Sequence, residues 1–184
     1  MSYNSDYSKA TQAFLKNKDI IGSAFLGTLY SLEVETSQFN SLFDQIASTD
    51  LLYKVDDCLY GVAMRVNFAK SWHKHITIRY TRQNGCKTEF KKTMCAISQN
   101  AITARFGIQI DVDDNLQIIN GIVYDRIDLF KYISSNLNHF KVNYMHTVKE
   151  DGNTMFYVTY EQFAKLKIKR CVYDALELKW VRIG

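Results

Sequence analysis

A strict alternation of residue types over residues 60–66, YGVAMRV, restricts the fold of this chain more than any other feature. The apolar members of the alternation are Tyr60, Val62, Met64 and Val66. A period of two residues is typical of a β-strand with one apolar face. The opposite face carries only Gly61 and Ala63 before it reaches Arg65. We therefore expect a strand whose second face leaves space over the sheet beside a single arginine.

Other segments with strand or helix patterns surround this strand. Strands are predicted at 31–36, 50–55, 59–68, 75–82, 106–112, 116–124, 154–160 and near 171–182. Helices are predicted after a cap at Ser5 or Asp6, at 87–98, at 126–135 and at 161–166, with a short helix or turn at 39–47. This order predicts a mixed α/β (α+β) chain with one central mixed β-sheet, including strands 50–55, 59–68 and 75–82, flanked by helices.

The composition indicates one globular domain. The chain has 184 residues, no proline and no low-complexity tract, so we expect a single domain, 1–184, with a lead-in at 1–38, a core at 39–166 and a C-terminal strand at 167–184. No apolar run reaches the roughly 18 residues of a membrane span, and the N-terminus lacks the apolar core of a signal peptide. We therefore expect a protein of the cytoplasm, without a membrane partner. The frequent Lys, Asn, Ile and Tyr are typical of AT-rich genomes, such as those of low-GC bacteria and their phages.

Positive charge is concentrated in one short window. Eight cationic residues lie between positions 65 and 92, and the only acid there is Glu89. Basic residues interleaved with aromatic ones are typical of a surface that binds phosphates and stacks bases. The candidate nucleic-acid contacts are Arg65, Trp72, Lys74, Arg79, Arg82, Lys87, Lys91 and Lys92. The alternatives are a solvated helix face for the lysines and a structural ion pair between Arg65 and Asp50 or Glu89.

A short constellation resembles the PD-(D/E)xK nuclease superfamily. Thr49-Asp50 stands at the PD position at the start of a strand, and Ala63-Met64-Arg65 stands at the (D/E)xK position of the next strand. The resemblance covers roughly residues 40 to 165 and extends to the run TIRYTRQNGCKTEFKK. It implies a restriction-endonuclease-like core, a nuclease-like function and Mg²⁺ as the cofactor.

The chain departs from the family pattern at two positions. Ala63 replaces the second carboxylate and cannot bind a metal, and Arg65 replaces the lysine and is a poor proton acceptor at pH 7. In some members of the superfamily the missing acid lies on the following helix, where this chain has Glu89. The resemblance then implies that Asp50 and Glu89 hold Mg²⁺ and that Arg65 neutralises the scissile phosphate.

The segment WHKH, residues 72–75, suggests a second chemistry. His73 and His75 are the right residue types to act as acid and base in metal-free RNA cleavage, with the 2′-hydroxyl as nucleophile. In a strand the two side chains would share a face, whereas in a turn they need not.

Three classes of function follow from these features. The first is a nuclease with a rebuilt metal site or a histidine site, acting on DNA or RNA. The second is an inactive relative that binds nucleic acid. The third is a phage or mobile-element protein that inhibits a host defence system, such as a CRISPR effector, through protein contacts. No feature of the sequence sets the oligomeric state.

Overall fold

The computed structural model describes residues 3–25, 28–31, 50–68, 74–148 and 151–183. The helices are α1 (Tyr3–Gly22), α2 (Glu89–Ser98), α3 (Arg126–Ser135), α4 (Leu137–Asn143) and α5 (Tyr160–Ala164). The strands are β1 (Thr28–Ser31), β2 (Leu51–Val55), β3 (Cys58–Phe68), β4 (His75–Thr81), β5 (Ala104–Val112), β6 (Ile118–Asp125), β7 (Met145–Thr147), β8 (Thr154–Thr159), β9 (Arg170–Asp174) and β10 (Lys179–Ile183). The predictions at 32–36 and 39–47 lie outside the described residues. None of the helices in these ranges has the length and apolar character that crossing a bilayer requires.

The main sheet has the strand order β1-β2-β3-β5-β6-β9-β10. Its β3–β5 pair is parallel and its other pairs are antiparallel. A parallel pair needs a long crossover, and here β4 and α2 supply it. The predicted fold class is confirmed: the chain is a single mixed α/β domain with a mixed sheet flanked by helices. Its internal division at residues 38 and 166 stays a prediction.

The strand predicted at 75–82 does not belong to the main sheet, so that detail was wrong. β4 pairs with β8 in a second sheet of order β4-β8-β7. The physical reason is that β3 pairs directly with β5, with Arg65 opposite Gln109, and leaves β4 no free edge there. The buried side chain of Gln109 joins the two sheets instead. Its Nε2 donates to the carbonyl of His75, and its Oε1 accepts from Thr77 N at 3.1 Å.

The two faces of the main sheet bury two different cores, as the alternation in β3 predicts. Val62 and Met64 pack with Phe14 and Ile21 of α1 on one side. A second core on the other side is formed by β4, β8 and the helices α2, α3 and α4, with Phe156 among its fully buried residues. Ala63 and Arg65 face this second side, where they line an open cleft and not the centre of the core.

The C-terminal segment is a hairpin and not the single strand predicted near 171–182. β9 and β10 pair antiparallel, with Lys179 opposite Asp174. The turn forms because Asp174 Oδ1 accepts from the backbone N of Leu176 at 2.9 Å, and Leu178 adopts a positive φ of 51°. The hairpin then contacts the start of the chain, where Trp180 Nε1 donates to the carbonyl of Ile20 at 2.7 Å.

Candidate phosphate-binding cleft

A cleft of about 280 Å³ lies over the small face of β3, beside the N-termini of α2 and α3. We call it the cationic cleft, and its charged lining residues are Asp50, Arg65, Arg82, Glu89, Lys92 and Arg126. Gln109 and Tyr124 also line it. The structure therefore brings Asp50, Arg65 and Glu89 together, as the sequence predicts, although their roles stay predictions.

Asp50 is held at the beginning of β2 by the neighbouring strand. Its backbone N donates to Val62 O at 2.9 Å, and its Oδ2 accepts from Met64 N at 2.6 Å. The side chain thus continues the β2–β3 ladder by one further bond. A carboxylate that accepts from a backbone amide is fixed in position by this charge-assisted hydrogen bond.

Arg65 and Glu89 meet across the cleft. The N-terminus of α2 begins at Glu89 because Thr88 caps it, with Thr88 Oγ1 accepting from Lys91 N at 3.3 Å. Arg65 Nη2 lies 3.9 Å from Glu89 Oε2, and Arg65 Nη1 donates to both the carbonyl and the hydroxyl of Thr77. The half-exposed ion pair is weak, so β4, rather than Glu89, positions the Arg65 guanidinium.

Arg126 is the least expected member of the cleft. It is the first residue of α3 and is only 1% exposed. Its Nη1 makes one long bond of 3.4 Å to Ala104 O, its Cζ lies 4.5 Å from the ring centre of Phe130, and its Nη2 has no hydrogen-bond partner among the described residues. Burial lowers the pKa of Arg126, while Glu89 acts in the opposite direction. A buried guanidinium with an unused donor is costly unless a ligand supplies the acceptor.

Tyr124 lines the cleft because two neighbouring strands carry small residues there. Ala63 lies opposite Gly107, and Gly107 lies opposite Tyr124. A Cβ atom at Gly107 would be 2.4 Å from Cζ of Tyr124, so only glycine accepts the ring. Burial raises the pKa of Tyr124 to about 12, which keeps its hydroxyl neutral at pH 7.

The charges that line the cleft fit an anion better than a metal ion. Four cationic side chains and two carboxylates leave an excess of two positive charges. Asp50 already accepts a backbone bond, and Glu89 faces Arg65. Within the described residues no group of three His, Cys, Asp or Glu side chains is placed to hold a metal. The Mg²⁺ site that the nuclease resemblance implies therefore stays a prediction.

A second cavity of about 830 Å³ adjoins the first through Arg65 and Thr77. We call it the ring groove, and its basic and ring-bearing lining residues are Lys9, Arg65, Phe68, His75, Arg79 and Tyr157. Arg79, predicted as a phosphate contact, thus lies in this groove. His75, predicted as a catalytic residue, lies here too and not in the cationic cleft.

The other predicted residues do not join the two cavities. Lys74, Lys87 and Lys91 are exposed and line neither of them. His73 and Trp72 lie outside the described residues, so the predicted pairing of His73 with His75 is not described. Lys87 and Lys91 add positive charge near the start of α2, where it attracts anions over a distance set by salt.

Sequence reasoning missed several of the residues that line these cavities. The sequence pattern places Arg126 at the start of a helix. It places Tyr124, Gln109 and Tyr157 in strands and does not mark any of them as functional. The one usable signal was the alternation in β5 and β6, which places Gln109 and Tyr124 on the same side of the sheet as Arg65. The sequence also did not single out His146, whose ring centre lies 5.0 Å from that of Tyr157.

Comparisons with protein-family models, with curated proteins and with solved structures find no match to this chain.

Proposed function

We propose that this protein binds nucleic acid and that the cationic cleft holds a backbone phosphate. The observation that carries the proposal is the buried Arg126, whose Nη2 has no partner among the described residues although the side chain lines the cleft. Arginine binds phosphate oxygens through a planar fork of N–H donors. A phosphate at this place would supply the acceptor that Arg126 lacks and neutralise the excess charge.

Two features favour a polymer over a small free anion. The cleft continues through Arg65 into the ring groove, which carries two further cations, Lys9 and Arg79. Outside the cavities, the exposed Lys87 and Lys91 extend the positive surface. A row of cations that extends beyond the length of one phosphate group is typical of proteins that bind along a nucleic-acid backbone.

The affinity for nucleic acid should fall steeply as the salt concentration rises. The slope of log K against log salt should be about −0.7 for every phosphate contact with a single strand and about −0.9 with duplex DNA. Lys92→Gln should reduce the magnitude of that slope by about the value of one contact, because Lys92 lines the cleft. Fluorescence anisotropy of labelled oligonucleotides between about 50 and 200 mM salt measures both values.

The matched control is Lys165→Gln, since Lys165 is exposed and lines neither cavity. It should leave the slope unchanged. A slope near zero for the unmutated protein would contradict nucleic-acid binding and would leave the third class, a protein inhibitor of a host defence system such as a CRISPR effector, as the function to test.

A second candidate function is cleavage, and one observation favours it: Asp50 and Glu89 line the same cleft as Arg65. If the protein only binds, Glu89→Gln should increase affinity for oligonucleotides several-fold, because it removes a negative charge beside the phosphate. If the protein cleaves as the nuclease resemblance implies, the same variant should abolish cleavage in Mg²⁺ or Mn²⁺. Gel assays with DNA and RNA, run beside the anisotropy measurement, separate the two results.

The controls for cleavage are EDTA and the histidine variant. Cleavage of RNA that persists in EDTA and disappears in His75→Ala would support the metal-free chemistry. A full cleavage rate in Glu89→Gln would contradict the rebuilt metal site.

A further inference from the structure

Among the described residues, none of those that line the ring groove is an acid. Its cations Lys9, Arg65 and Arg79 therefore have no negative partner in the described part of the lining. Arg79 Nε is buried and has no hydrogen-bond partner among the described residues. Burial, followed by the charges of Arg65 and Arg82, lowers the pKa of Arg79. An anionic ligand in the groove would relieve both the crowding of like charges and the unused donor.

Aromatic rings line the same groove. Phe68, at the end of β3, is 46% exposed although it is apolar. His75 and Tyr157 lie side by side, with ring centres 5.1 Å apart and planes inclined at 52°. By contrast, Phe90, the aromatic residue beside Glu89 in the same basic window, is buried at 6% exposure in the second core. A ligand in the groove can therefore reach the rings of His75 and Tyr157 but not that of Phe90.

We infer that the ring groove binds the unpaired bases of single-stranded nucleic acid while the adjoining cationic cleft holds a backbone phosphate. The inference rests on the proposed function and adds the class of nucleic acid. Bases in a duplex stack on one another and cannot stack on protein side chains, whereas unpaired bases offer their faces to rings such as Phe68 and Tyr157. Rings beside cations are the combination that proteins use to bind single strands.

The relative position of the two cavities fits one continuous strand. Arg65 lines both of them, and its guanidinium is fixed by Thr77, which also lines both. A phosphate held at Arg65 and Arg126 therefore places the neighbouring nucleotide at the mouth of the ring groove. The groove volume of about 830 Å³ exceeds the roughly 300 Å³ at the lower end of small-ligand pockets, so it has room for more than one base.

The experiment compares single strands with a duplex of the same sequence. The probes are a labelled 20-nucleotide RNA, the corresponding DNA strand and the DNA hairpin duplex, measured by anisotropy at one salt concentration. We expect single strands to bind at least 10-fold more tightly than the duplex. Phe68→Ala and Tyr157→Ala should each weaken single-strand binding at least about 5-fold, the lower end of the effect of one stacked base.

Two controls make the result specific to stacking. Tyr157→Phe restores the ring and should recover the affinity that Tyr157→Ala loses. Tyr132→Ala removes a partly exposed ring that lines neither cavity and should retain the affinity. Circular dichroism verifies that each variant is folded. Equal affinity for RNA and DNA single strands, or a preference between them, both fit the inference, because the rings contact bases.

The experiment distinguishes failure of the single-strand inference from failure of the proposed function. Equal or tighter binding of the duplex, with no effect of Phe68→Ala or Tyr157→Ala, would overturn the single-strand inference and leave phosphate binding intact. Absence of salt-dependent binding to all three probes would overturn both.

Discussion

Arg126→Met should weaken oligonucleotide binding by more than about 100-fold while leaving the protein as stable as before or more stable. The expected loss of affinity follows because removing one partner of a buried ion pair costs about 3–5 kcal/mol. The expected gain in stability follows because the free protein buries this guanidinium with one long bond and, within the described part of the chain, leaves Nη2 without a hydrogen-bond partner. Replacing a buried charge with an apolar side chain of similar length is often neutral or stabilising by about 1–4 kcal/mol.

Two measurements on the same variant test this expectation: anisotropy with the labelled single strand, and urea unfolding followed by circular dichroism. The matched control is Arg105→Met. Arg105 is 40% exposed, pairs with Asp125 and does not line the cleft, so its loss should leave binding unchanged. Lower stability of Arg126→Met together with unchanged binding would contradict a ligand role and make Arg126 a structural residue.

Gln109→Leu should lower the free energy of unfolding by about 2–6 kcal/mol, because two backbone groups lose their partner at about 1–3 kcal/mol each. These groups are the carbonyl of His75 and the N–H of Thr77, both on β4. Gln109 is 2% exposed, so water does not readily replace its amide. A looser β4 also releases Thr77, the residue that positions Arg65. Oligonucleotide affinity should therefore fall together with stability.

Urea unfolding measures the first effect, and anisotropy well below the unfolding midpoint measures the second. Gln117→Leu is the control, since Gln117 is exposed in the turn between β5 and β6 and should change stability by less than about 0.5 kcal/mol. If Gln109→Leu unfolds at the same urea concentration as the unmutated protein, the side chain is not what joins the two sheets.

The sequence predicts the strands of this fold well where one face is buried. The alternation in β3 identifies which residues enter the α1 core, and α3 has the bounds 126–135 that were predicted for it. Assignment of β4 to the main sheet failed because strand pairing depends on partners far apart in the chain. Local pattern does not reveal that β3 pairs with β5 or that a glutamine side chain joins β4 to the sheet.

The candidate site was predictable only in part for the same reason. Asp50, Arg65 and Glu89 were found through local motif positions, and the structure does place them around one cleft. Arg126 was not found because an arginine at the first position of a helix is ordinarily solvated. Its burial results from packing against Phe130 and Ala104, which no pattern within the helix records.

The bond from Trp180 to the carbonyl of Ile20 has a consequence for how the chain assembles during synthesis. It joins residues 160 positions apart, and Asn17 in the same helix reaches Leu116 O, 99 positions away, at 2.7 Å. Contacts of such sequence separation form slowly, since the intervening chain must first be ordered. Helix α1 therefore leaves the ribosome well before its partner Trp180 and completes its packing only after residue 180 has emerged. Until then, the side chains that it later buries, such as Phe14 and Ile21, are exposed to chaperones and to other nascent chains.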